Sequence, residues 1–187
     1  MSFVNLIRCL KFTILIVFLT TAFFTGCGKK GEEDLRKGKA AYEIKDYKAA
    51  AMSFSLAALD GNAEAQYMLA ECYELGEGVE EDENESVRWL RKAAEQGYAK
   101  AQMRLGVYYS IKEENKEKSE SLFKKAFPNL RKDAERGDAE AQYMLAISYL
   151  EGIGTEKDKK EGMKLLRKVA DQGYVAAKEL IEKYEDD

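Results

Sequence analysis

A chain of 187 residues with 45% apolar side chains, one proline and no histidine can bury a core and leans towards helix. Its formal charge of −4 hides a contrast: residues 1–26 hold Arg8, Lys11 and no anion, which leaves 28 cations against 34 anions, or −6, in the remainder. That acidity argues against nucleic acid as a partner, and the missing histidine removes the serine–histidine triad, imidazole metal sites and the commonest general base.

Residues 1–26 have the layout of a secretory signal, with Arg8 and Lys11 ahead of an apolar run from Phe12 to Phe24. That run is 13 residues long, whereas a helix needs roughly 20 to cross a bilayer. The tetrapeptide Phe24-Thr25-Gly26-Cys27 resembles the bacterial lipobox, with Phe24 standing where an aliphatic residue is usual. The resemblance implies cleavage after Gly26 and a lipid (palmitate) on Cys27. An uncleaved anchor helix is the alternative, and it would keep residues 1–26. Gly28 is not the aspartate that retains lipoproteins at the inner membrane, so in a Gram-negative host the resemblance implies the outer membrane, facing the periplasm. Residues 27–33 form the tether, and the six residues from Gly28 to Glu33 reach about 20 Å at most. The folded part is therefore expected close to the membrane. With Cys27 carrying lipid, Cys72 has no partner beyond the leader, as a buried structural thiol needs none.

The folded part, residues 34–187, is internally repetitive. The segments beginning at Ala63, Ala99 and Ala139 are copies of Ala-x-Ala-Gln-x-x-Leu-Ala/Gly, and those beginning at Trp89, Asn129 and Leu165 copy a second block that ends in glycine. Gly61, Gly97, Gly137 and Gly173 close units of about 34–61, 62–97, 98–137 and 138–173, and glycine suits the left-handed residue that ends a helix. Within a unit, Ala65, Leu69 and Tyr73 mark one face of a first helix, and Ala70, Gly106 and Ala146 beside it leave room for a neighbour. The second helix is expected to start at an acidic cap, with Asp82 three residues before Glu85 and Asp158 three before Glu161. Gly76, Gly78, Gly152 and Gly154 supply turns between the two helices. The third unit lacks that turn and carries a charged stretch from Lys112 to Lys118. Its Pro128 is expected to kink or split the second helix. A last helix over 174–184 reads as a cap. No unit could bury its apolar face alone, so stacking must complete the core.

These elements resemble the Sel1-like repeats, relatives of the TPR, and the first unit, with Gly38, Ala50, Phe54 and Ala57, is closer to a plain TPR. The resemblance implies an all-α fold, an α-solenoid of helix-turn-helix repeats. It also implies a concave surface lined by the first helix of each unit. TPR spacing carried over from Leu69 places Glu64, Tyr67, Glu71 and Glu74 on that surface, then Lys100, Met103, Val107 and Ser110, then Glu140, Tyr143, Ile147 and Leu150. The stripe becomes more apolar towards the C-terminus. Either Ile147 and Leu150 are exposed for a partner, or they are buried against a neighbouring helix. Trp89 aligns with Leu165 and reads as core. The acidic run from Glu80 to Glu85 reads as a solvated helix start, without EF-hand spacing.

The resemblance implies a non-enzymatic module that holds a protein or peptide in the cell envelope, with no catalytic residue, metal or cofactor. Some envelope Sel1-like lipoproteins neutralise toxins such as phospholipases delivered by secretion systems, which is a narrower version of the same role. Others, rich in cysteine, bind or hydrolyse β-lactams, but this chain lacks their paired cysteines.

Overall fold

A computed structural model describes residues 30–112 and 114–185, so the leader and Cys27 lie outside the described residues. These residues form helices and turns, with no strand among them, and they divide after Asp82 into two compact units. The first unit holds α1 (residues 30–43), α2 (Tyr47–Leu59) and α3 (Ala63–Leu75). The second holds α4 (Glu83–Glu95), α5 (Ala99–Ile111), α6 (Lys116–Glu135), α7 (Ala139–Glu151), α8 (Lys159–Asp171) and α9 (Val175–Glu185). Within each unit successive helices pack on one another, the construction of an α-solenoid.

In the first unit α1 is already helical at residue 30, four residues ahead of the expected start, and Lys37 closes on Glu33 at 2.8 Å. Ala50, Phe54 and Ala57 of α2 are fully buried. Gly38 lets α2 in: a Cβ there would sit 2.5 Å from the Phe54 ring. Asp46 caps α2 by accepting from the Ala49 amide at 3.1 Å. After α3, Gly78 lies backbone to backbone on the start of α2. A Cβ there would come within 2.0 Å of the Tyr47 carbonyl oxygen, so only glycine fits.

In the second unit Met103, Phe123, Leu130 and Leu145 form one apolar cluster between α5, α6 and α7. Leu150, Met163, Leu166 and Val169 form another, which Ala177, Leu180 and Ile181 of α9 cover. Small residues again set the spacing, since a Cβ on Gly106 would lie 2.5 Å from the Phe123 ring and one on Gly162 2.7 Å from Leu150. The acidic cap of α8 forms only half of a capping box. Asp158 accepts from the Glu161 amide at 3.0 Å, but its own amide donates to the Tyr149 carbonyl, and Glu161 pairs with Lys164 instead.

The third repeat departs from expectation. Part of its charged stretch is helical: α6 spans 20 residues where α4 and α8 span 13. By register Phe123 takes the place of Glu83 and Lys159, so Lys116 to Leu122 form an added stretch at the start of the helix. Asn115 caps it by accepting from the Lys118 amide at 3.0 Å. Pro128 does not split α6. It stands on the exposed side, where Arg88 and Lys164 stand in the neighbouring repeats, and water there can take up the carbonyl that proline leaves unbonded. The turn at Gly154 rests on this helix, and a Cβ would come within 2.6 Å of the Phe123 carbonyl oxygen.

Candidate interaction surface

The first helix of each repeat is fixed by a side chain that pattern reading passed over. Gln66, Gln102 and Gln142 are buried and donate through Nε2 to the carbonyls of Ala58, Ala94 and Ala134, eight residues earlier, at 3.1, 3.1 and 2.8 Å. Each bond ties a first helix to the end of the preceding second helix. The signal was present in the recurrence of glutamine beside alanine in all three copies. Gln142 is also held from the far side, where its Oε1 accepts from Gln172 at 3.2 Å. The Oε1 of Gln102 is buried without a partner.

These ties place the side chains of the concave stripe in the second unit. Lys100 of α5, only 11% exposed, reaches Asp138 at 2.9 Å and Glu140 of α7 at 2.8 Å. Burial alone would push its ammonium pKa down, but Glu140, with Asp138, outweighs that and holds the lysine above its usual range. Burial would likewise raise the Asp138 carboxyl, yet the Ala141 amide and Lys100 bring it below the ordinary carboxylate value. Arg104 stands 4.0 Å from Glu140 and extends the network along α5. Further along, Tyr143 packs on Tyr174, ring centroids 5.0 Å apart. Burial, then the charge of Glu179, pushes the Tyr143 phenol pKa up.

The stripe is not uniformly open. Met103 and Leu150 are core residues, Leu150 packed over Gly162, and Ile147 is half-buried. Val107 and Ile111 are 43% and 69% exposed. Val107 and Ile147 occupy the same register of α5 and α7, helices that touch. In the first unit Glu64 of α3 pairs with Lys39 of α1 at 2.5 Å, and fully buried Tyr67 donates to Glu71 at 3.2 Å. The accessible apolar part of the stripe therefore lies on α5 and α7.

A second concavity runs between α4, α5 and the start of α6. It is lined by Arg91, Gln102, Tyr109, Lys118 and Lys125, with Arg91 and Lys118 over the Tyr109 ring at 5.9 and 4.9 Å. In the acidic run before and into α4, Glu83 pairs with Lys112 and Glu85 with Arg88. No acidic, cysteine or histidine cluster that could hold a metal occurs among the described residues. Trp89 is buried. Cys72 is buried too, and burial, followed by the charges of Glu77 and Glu71, pushes its thiol pKa up to about 12, which disfavours the nucleophilic thiolate at neutral pH. No described helix is long and apolar enough to cross a membrane.

Comparison with known proteins agrees with this construction. The family model of the Sel1 repeat matches residues 63–98, 99–127 and 139–174. Chitin synthase regulatory factor 3 of Schizosaccharomyces pombe is 32% identical over 133 residues, which cover 69% of this chain and 14% of the yeast protein. Among solved structures, a Sel1 repeat protein from Oxalobacter formigenes is 28% identical with a TM-score of 0.52, over 82% of this chain and 62% of that one. A protective antigen present in uropathogenic Escherichia coli strains, displaying an SLR fold, is 26% identical with a TM-score of 0.50, over 82% of this chain and 40% of the antigen. The chain thus spans less than two thirds of each of these relatives.

Proposed function

The chain belongs to the Sel1 repeat family, and from that premise we propose that it is a membrane-anchored lipoprotein whose repeats hold a protein or peptide partner in the cell envelope. Sel1 repeats generally mediate protein–protein interactions. The anchor is a lipid on Cys27 at the end of the leader. The binding surface is the inner face of α5 and α7. The observation that carries this reading is the pairing of accessible Val107 and Ile111 with Ile147 at the register of Val107 on the adjoining helix. A partner would meet a small apolar strip beside a charged network already locked by Lys100, Asp138 and Glu140. Preformed surfaces of this kind bind with little ordering cost. The role is that of a binding scaffold, without chemistry of its own.

The test uses the full chain, solubilised from membranes and offered envelope extracts of its host, beside a Val107→Asp/Ile147→Asp variant. A captured partner that the folded variant no longer holds supports the inner face. Unchanged capture by the variant moves the site to the groove beside α6. Cys27→Ser tests the anchor separately: the chain is expected to lose its acyl label and to keep residues 1–26.

A further inference from the structure

The second helix of the first repeat differs from its successors on the outward side. In α2 that side carries Met52, Leu56 and Leu59, which are 67%, 47% and 70% exposed. The same register holds Arg88, Lys92 and Glu95 in α4, Pro128, Lys132 and Glu135 in α6, and Lys164, Lys168 and Asp171 in α8. Steps of four and three residues put the apolar trio on one stripe. Three later repeats carry charged side chains on this face and the first carries none, which marks it as a candidate contact surface.

The path of the chain says what. Gly31 of α1 lies against the end of α2, where a Cβ would sit 3.2 Å from the Asp60 Cβ and 3.8 Å from the Ala57 carbonyl oxygen. Cys27 comes four residues earlier, so it is held within about 14 Å of that point even when fully extended. The lipid site is therefore tethered beside the Leu59 end of the stripe. At the other end, in the turn leading into α2, Ile44 is 78% exposed among exposed Glu43, Lys45 and Asp46, with Lys48 exposed in the first turn of the helix. One apolar stripe with a polar surround is the pattern of a helix that lies in a lipid interface.

We propose that the outer face of α2, with Ile44, Met52, Leu56 and Leu59, lies in the headgroup region of the membrane that carries the lipid on Cys27. The inference rests on the lipoprotein reading. A lipid on a short tether leaves the folded part free to turn, and an apolar protein contact beside it makes attachment firmer. It also fixes which way the first unit faces.

On the lipoprotein reading Cys9 leaves with the leader and Cys27 carries lipid, and Cys72 is buried, so a cysteine placed on the surface is the thiol open to labelling. The full chain carrying Leu56→Cys, or Lys92→Cys at the same register of the second repeat, is labelled with a polarity-sensitive fluorophore. It is then reconstituted into vesicles of phosphatidylethanolamine and phosphatidylglycerol. The expected result is several-fold brighter emission at position 56, quenched by lipids carrying a shallow nitroxide, with neither effect at position 92. Adding Met52→Arg and Leu59→Glu to Leu56→Cys is expected to abolish both. Emission that is bright, unquenched by the nitroxide lipid and lost on dilution with excess lipid overturns the proposal in favour of a second copy of the chain. Dim emission from a chain that stays on the vesicles overturns the membrane face and leaves the anchor standing. Release of the chain from the vesicles overturns the anchor and this proposal together.

Discussion

Arg136→Gln is expected to stabilise the second unit. Arg136 ends α6 in nearly the conformation in which Gln172 ends α8, with φ/ψ of −76°/−6° against −80°/0°. From that position Gln172 donates to the Oε1 of Gln142. Arg136 instead turns outward to Asp133 at 3.3 Å, its side chain 77% exposed, and the Gln102 Oε1 remains buried without a donor. An unmet buried acceptor costs about 1–3 kcal/mol, and the exposed ion pair that would be given up is worth roughly 0–1. Ordering one glutamine takes back part of the gain, up to about 1.5–2 kcal/mol if it becomes fully fixed. The net expectation is about 0.5–1.5 kcal/mol, or roughly 2–4 °C per kcal/mol for a domain of this size. Trp89 is the only tryptophan and lies in the second unit, so urea unfolding followed by its fluorescence reports on that unit. Gln172→Ala serves as the converse and should destabilise by about 1–2 kcal/mol by orphaning the Gln142 acceptor. An Arg136→Gln midpoint at or below that of the parent chain would refute the reasoning.

The other expectations follow from single contacts. Gly78→Ala and Gly154→Ala must each cost more than Gly61→Ala: all three residues have positive φ, but a Cβ meets backbone only at the first two. Thermal unfolding should show about 1 kcal/mol lost at Gly61 and at least about 2 at the others. Lys100→Met keeps the stem but takes the ammonium from Asp138 and Glu140, which are 36% and 23% exposed and keep the Ala141 amide and Arg104. Partial screening reduces the fully buried penalty to about 1–2 kcal/mol. The same substitution should flatten the pH dependence. Asp138, held below its ordinary value, contributes stability above the usual carboxyl range that is lost as pH falls through its lowered pKa. Lys100, held above its own, contributes stability present below the usual lysine range that is lost as pH rises through the raised value. Cys72 should resist iodoacetamide at pH 8 in the folded chain and react at once in urea; ready reaction in the native state would contradict its burial.

How much of this was legible in the sequence depends on which interaction carried the information. Local chemistry was readable: Gly61, Gly97, Gly137 and Gly173 all have positive φ, and Asp158 caps α8. Those signals act within a few residues. Helix-to-helix spacing was half readable. Gly106 announced a close neighbour, while the ring that uses the space, Phe123, depended on the added stretch of α6. The extent of that helix was hidden because a charged run such as Lys112 to Lys118 is as compatible with a loop as with an exposed helix, and the Asn115 cap decides between them. Within the proposed stripe, spacing alone could not separate Val107 from Met103 or Leu150. Burial there is set by neighbouring helices, through Phe123 and Gly162, and not by the helix that bears the side chain.

Comparison of the repeats with one another carries further than any one of them. Every copy must solve the same packing problem, so a face that carries charges in three copies and none in the fourth answers to something outside the stack. Met52, Leu56 and Leu59 are of that kind: they are exposed, so packing does not require them. Arg136 is of the opposite kind, since it departs from Gln172 and leaves a defect inside the unit at Gln102. The first type of departure should be insensitive to substitution in stability and sensitive in attachment to lipid, and the second the reverse. Charging the α2 stripe and changing Arg136 to glutamine therefore separate the two: a membrane-face variant that unfolds, or an Arg136→Gln chain that leaves vesicles, would show that the repeats cannot be read in this way.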